Sequence, residues 1–101
     1  MVDHKALSTK LAELYKCQDY LHYNGHDYFY ITQDDATMFR MAIDNDVIVS
    51  QDEFTAEATY WTIKNGEWDS ITTFEPYSLY IDKYEANRVA IAKSLIKKVS
   101  V

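Results

Sequence analysis

Cysteine and proline each occur once in the 101 residues, and glycine twice. Average usage of about 7% glycine and about 5% proline would give roughly seven and five. Connections should therefore be short, and flexible linkers absent. Cys17 has no partner for an internal disulfide, and the start MVDHKALSTKLAEL lacks the basic residues followed by an apolar run that mark an export signal, so a cytoplasmic protein is expected. Charges interrupt every apolar stretch well short of the ~18 residues of a membrane helix. Clustered glycines are missing and Arg40 and Arg88 stand far apart, which excludes a phosphate-cradling loop and leaves no clamp for phosphoryl transfer.

Positive charge is also scarce. Ten Lys and Arg face sixteen Asp and Glu, a net charge of -6. Such a field opposes a nucleic-acid backbone, so direct DNA or RNA binding is not expected. The imbalance is local. Residues 1–81 hold five bases and fourteen acids, whereas residues 82–101 hold five bases and two acids. Between Gln18 and Glu57 stand nine acids and the single base Arg40. A potential of that sign speeds encounter with basic partners.

Hydrophobic residues make up 48% of the chain, enough for one folded domain spanning residues 1–101. Leu7, Leu11 and Leu14 recur at helical spacing and predict a helix over residues 3–16. The runs around Asn24-Gly25 and Asn65-Gly66 predict two hairpins, because Asn-Gly supplies both positive φ values of a type I′ turn. For the first, a two-residue loop would set Tyr23 opposite His26, His22 opposite Asp27 and Leu21 opposite Tyr28. For the second, spanning residues 57–74, it sets Lys64 opposite Glu67, Ile63 opposite Trp68 and Tyr60 opposite Ile71, with Trp61, Ile63 and Trp68 read as the buried face.

Thr32 is the expected cap of a short second helix whose apolar face is Met38, Phe39, Ala42 and Ile43. Val47, Ile48 and Val49 read as a strand, and residues 77–81 as another. Asp82 with Glu85 forms a capping box before a last helix reaching Val99, with Val89, Ala92, Leu95, Ile96 and Val99 inward. Lys93, Lys97 and Lys98 sit near its C-terminal end, where cations complement the dipole. The expected class is α+β, an antiparallel sheet of four to five strands packed with three helices in the order α-ββ-α-β-ββ-β-α.

Chemistry is sparse. Cys17, His22, His26 and Asp27 have ligand-like spacing, but the hairpin register lets at most two strand ligands converge, short of the three a catalytic metal needs. Asp44, Asp46, Asp52 and Glu53 have calcium-loop composition without the glycine at the sixth position, which is Val49. No metal or cofactor is expected. His22 with Asp27 is the only acid–base pair that the turn itself would bring together, and it has no recognisable nucleophile beside it. The expectation is a non-enzymatic protein.

Nine tyrosines exceed what a core requires, since a buried tyrosine must still satisfy its hydroxyl. The sequence therefore points to an acidic module that docks on a basic protein partner, a nuclease or other nucleic-acid-handling enzyme whose phosphate-binding surface the carboxylates would occupy. Asp34, Asp35, Asp44, Asp46, Asp52 and Glu53 are the expected contact residues, with Tyr23, Tyr28 and Tyr30 as anchors. Immunity proteins and phage-encoded inhibitors of host defence provide the analogy, at the level of class alone. Two alternatives are a homodimeric assembly protein closing through a hairpin edge or aromatic face, and a small-molecule-binding domain or small enzyme.

Overall fold

The computed structural model describes residues 2–16, 21–23 and 28–100. Asp3 caps the first helix, α1 (His4–Tyr15), by accepting from the Ala6 amide at 3.0 Å, and Lys16 ends it in the left-handed conformation with φ 54°. Leu11 and Ser8 are its buried residues. Strands β1 (Leu21–Tyr23) and β2 (Tyr28–Tyr30) form a two-stranded antiparallel sheet of their own. Its register is Leu21 to Tyr30, His22 to Phe29 and Tyr23 to Tyr28, two residues away from that of a two-residue Asn-Gly loop. Phe29 stands opposite His22 where Asp27 was expected, and the expected Asn24-Gly25 turn lies outside the described residues.

A 3-10 turn, Ile31–Gln33, follows directly, with the Gln33 side chain accepting from the Tyr30 amide at 2.8 Å. The turn displaces the helix cap: α2 (Asp35–Asp44) is capped by Asp34, which accepts from the Thr37 amide at 3.2 Å, and Thr32 points elsewhere. Met38, Met41 and Ala42 face inward, whereas Phe39 and Ile43 are exposed, so the helix is rotated from the expected face. Asp46, at φ 56°, turns the chain into β3 (Ile48–Gln51).

The second sheet has the order β3-β4-β5, with β4 (Thr55–Lys64) and β5 (Glu67–Pro76) antiparallel. Its hairpin register matches the expected one along its whole length, and Asn65 (φ 53°) with Gly66 (φ 81°) makes the left-handed turn. Residues 77–79 form a 3-10 turn where a strand was expected, and Asp82 caps α3 (Lys83–Val99) through the Glu85 amide at 2.8 Å. The class is α+β with three helices, as expected; the strands divide into two sheets because the 3-10 turn and α2 intervene between them. Among the described residues no helix is long and apolar enough to cross a membrane.

The inward face of the large sheet is the opposite of the one expected. Ala56, Ala58 and Tyr60 are buried, while Trp61, Ile63 and Trp68 are 54%, 61% and 70% exposed. The reason lies in α3, which packs on β4 and β5. Its row Ala86, Ala90, Ser94 and Lys98, one turn apart, is short until Lys98, whose ammonium lies 6.0 Å from the Tyr60 ring centre. Small side chains on both surfaces let helix and sheet approach closely, and two indoles would not fit between them. On its other sides α3 meets α1 and α2, which explains why Arg88, Ile91, Ala92 and Leu95 are buried too. Ile96 is only partly buried and Val99 is exposed, so the expected apolar stripe is shifted toward the helix centre.

Ala58→Leu forces extra carbons into this filled layer and should lower unfolding stability by about 1–3 kcal/mol, whereas Trp68→Thr should stay within about 0.5 kcal/mol. Urea midpoints measure both, and the reverse order would show that the indoles are the buried side.

Candidate functional site

Four features remain after the core is accounted for: a buried polar cluster, the distributed carboxylates, the uncovered side of the large sheet, and a polar group at the α3–sheet contact. The cluster begins on α1, where His4 and Ser8 stand one turn apart on one face. His4 Nδ1 lies 2.8 Å from Thr32 Oγ1 and its Nε2 lies 3.2 Å from Glu85 Oε2. Ser8 Oγ is 2.9 Å from Thr32 Oγ1 and accepts from the Thr32 amide at 3.2 Å. Arg88 extends the cluster, its Nε donating to the Thr32 carbonyl at 3.1 Å and its Nη1 to Asp35 Oδ1 at 2.6 Å. A consistent donor order runs from the Ser8 hydroxyl to Thr32, from the Thr32 hydroxyl to His4 Nδ1, and from His4 Nε2 to Glu85.

Carboxylate, imidazole and hydroxyl in this order is the arrangement that activates a nucleophile. Access decides against that use here. Thr32 and Ser8 are both 0% exposed, and a reacting atom must come within about 3–3.5 Å of the oxygen it meets. What the cluster does is hold: it joins α1, the first 3-10 turn, α2 and α3 through side chains and the Thr32 backbone. Neither His4 nor Thr32 stood out in the sequence as part of a site; the only local signal was the four-residue spacing of His4 and Ser8. Cys17, His26 and Asp27 lie outside the described residues, and so does the side chain of His22.

The expected contact carboxylates fall in three places. Asp34 and Asp35 are at the start of α2, one a helix cap and the other paired with Arg88. Asp44 and Asp46 are at its other end, and ten helical residues separate the two pairs by about 15 Å. Asp52 and Glu53 form the β3–β4 turn, where Asp52 Oδ1 accepts from the Phe54 and Thr55 amides, both at 2.7 Å. Those bonds, the one from Phe54 first, hold the Asp52 carboxyl below its ordinary range. Of the expected anchors, Tyr30 is half-buried, and Tyr23 and Tyr28 have side chains outside the described set.

The uncovered sheet side is the largest feature. The β4–β5 register puts Trp61, Ile63, Trp68 and Phe74 on it, and the β3–β4 register adds Ile48. Ile48 is 55% and Phe74 59% exposed, so all five are more than half open. With whole aromatic side chains at about 150–250 Å² each, the patch is on the order of 500 Å², the upper range for a monomer and often functional at that size. Its polar members are largely paired: Thr59 and Thr72 hydroxyls lie 2.7 Å apart, and Ser50 Oγ donates to Glu57 at 3.1 Å. At one end Asp46 and Lys98 share a hollow of about 520 Å³ with Ile43, Ile48, Trp61 and Trp68. At the other end stands the Asp52–Glu53 turn. A sequence signal for this side existed in the alanines, since Ala56 and Ala58 alternate with Glu57 and Thr59 and match the small row of α3.

A last polar group lies at the α3–sheet contact. Glu75, 6% exposed, accepts from the Tyr80 hydroxyl at 2.5 Å and from Lys93 Nζ at 2.6 Å. Burial, then the bond to Glu75, raises the Tyr80 hydroxyl far above its ordinary value of 10.0. The fold thus holds a proton that the unfolded chain releases. Its contribution is complete below pH 10 and declines as the pH climbs from there toward the folded value. Unfolding stability measured between pH 9 and pH 12 should fall, and Tyr80→Phe should make that fall shallower; an unchanged slope would contradict the assignment. Thr32→Val, which strands His4 Nδ1 and Ser8 in a dry site, should cost about 1–3 kcal/mol in urea unfolding.

Comparison with known proteins finds no matching family model, no matching curated protein and no matching solved structure.

Proposed function

We propose that this chain is a non-enzymatic protein-binding module that docks on a basic partner through the outer side of the β3-β4-β5 sheet. The observation that carries this reading is the cluster of five large apolar side chains, Ile48, Trp61, Ile63, Trp68 and Phe74, left open on one sheet face. Apolar centre and polar rim is the anatomy of a protein contact, and tryptophan is the residue most enriched among its energetic anchors. Trp61 and Trp68 take the anchor role in this reading, ahead of Tyr23, Tyr28 and Tyr30.

The sign of the partner follows from the rim and from the whole chain. Asp46 adjoins both indoles, Glu57 lies on the face, and Asp52 and Glu53 close its far end, within a chain of net charge -6. Two cations stand beside the indoles, Lys98 in the hollow with both and Lys64 next to Trp68, where Glu67 and Asp69 adjoin it. Such a rim attracts a basic surface and repels a second copy of itself. A nucleic-acid-handling enzyme is the fitting class of partner, because cations placed to meet phosphates are met here by carboxylates, and occupying them would inhibit it.

The test is affinity capture from lysate of the native host with the tagged chain, its Trp61→Ser/Trp68→Ser variant and its Asp46→Lys/Glu57→Lys variant, each washed at low and high salt. A basic protein held by the parent chain should be lost by at least tenfold in the tryptophan variant and weakened by charge reversal or salt. Equal capture by parent and tryptophan variant would remove the face from the account. Recovery of the chain alone, with a dimeric mass that the tryptophan variant halves, would replace the basic partner with a second copy.

A further inference from the structure

Away from the large sheet, a groove of about 520 Å³ runs between α1, the Leu79–Tyr80 segment and α3. Its volume falls within the about 300–1,000 Å³ of small-molecule sites, and its walls are apolar: Leu7 from α1, Leu79 from the second 3-10 turn, and Val89 and Ile96 from α3. Two ammonium groups stand on it, Lys10 and Lys93. In a chain with ten bases against sixteen acids, the pairing of two cations with this groove is its distinguishing feature.

Two carboxylates adjoin them, Asp3 and Glu75, and both are already engaged. Asp3 is committed as the cap of α1, and Glu75 is buried beneath, already bonded by Tyr80 and Lys93. The Glu75 contact uses one of three ammonium protons and fixes Lys93 in place, while its side chain remains 46% exposed with the other protons available. Lys10 is exposed and forms no ion pair among the described residues. A carboxylate arriving at this rim can accept from both ammonium groups, one of them already positioned, whereas a quaternary ammonium has nothing to offer these donors.

We propose that the groove binds a carboxylate bearing an unbranched apolar tail of medium length, the tail lying along Leu7, Leu79, Val89 and Ile96 and the carboxylate held by Lys10 and Lys93. The inference is independent of the sheet face and of any protein partner.

The experiment is a titration of the full chain with decanoate, below its self-association threshold, followed by amide and methyl NMR shifts, with hexanoate and decyltrimethylammonium as comparison ligands. Decanoate should give saturable shifts at the Leu7, Val89 and Ile96 methyls. Each methylene removed should weaken binding about fourfold, so that hexanoate, four methylenes shorter, is about two-hundredfold weaker. Lys10→Glu should weaken decanoate at least fivefold, and Ala6→Trp, a substitution at an exposed helix position lining the groove, should abolish the shifts while leaving the rest of the spectrum folded. The proposal is overturned if decyltrimethylammonium binds there as tightly as decanoate, if tail length has no effect, or if the decanoate shifts fall on the Trp61 and Trp68 indoles and leave the groove unmoved.

Discussion

The close approach of α3 to the large sheet is the contact on which the rest depends. It is built from small residues, Ala56 and Ala58 on β4 and the row Ala86, Ala90 and Ser94 on α3, all of them buried. Once that side of the sheet is taken, alternation along the strands leaves Trp61, Ile63, Trp68 and Phe74 on the other side, more than half exposed among the described residues. The same approach brings Lys93 onto Glu75 and sets Lys98 over the Tyr60 ring. With its sheet side closed, α3 meets α1, α2 and the two 3-10 turns on its remaining sides, and these contacts leave the groove at Leu7, Leu79, Val89 and Ile96. The open face and the groove are therefore two consequences of one packing choice.

The polar cluster around Thr32 explains how three helices of modest amphipathicity take fixed positions. Hydrophobic contact tolerates sliding, whereas a buried hydroxyl with several specific partners does not. His4 and Ser8 on α1 and Arg88 on α3 bond Thr32 directly, while Glu85 on α3 holds His4 and Asp35 at the start of α2 holds Arg88. Acidic residues that suggested a contact surface in the sequence are in part spent here: Asp34 and Asp35 start α2, and Asp52 ties its own turn. Under the proposed reading, the carboxylates that meet the partner are those around the open sheet side.

Local chemistry was legible in the sequence and three-dimensional adjacency was not. Asn65-Gly66 set every pair of the β4–β5 ladder because both strands continue straight from the turn. The register expected from the same dipeptide at residues 24 and 25 was not met in the first hairpin, where Tyr23 pairs with Tyr28. Helix existence was readable from spacing, but which face turns inward was not: Phe39 and Ile43 are as apolar as Met38 and Met41, and only the position of α3 separates them. For the large sheet the error had a physical source, since hydrophobicity favours burying Trp61 and Trp68 while the geometry of the helix contact favours burying the alanines. Likewise, His4, Thr32 and Glu85 are 28 and 53 residues apart in sequence order, and no spacing rule joins them.

The chain contains two tryptophans, and both lie on the open face, so indole fluorescence reports that face and nothing else. The most direct measurement is therefore the emission maximum and acrylamide quenching of the dilute, monomeric chain, repeated with Trp61→Phe and Trp68→Phe so that each indole is read singly. The account requires both indoles to emit as water-exposed and to be quenched readily. Blue-shifted emission with weak quenching in the monomer would mean that the indoles are buried within the chain, and the open binding face would not exist.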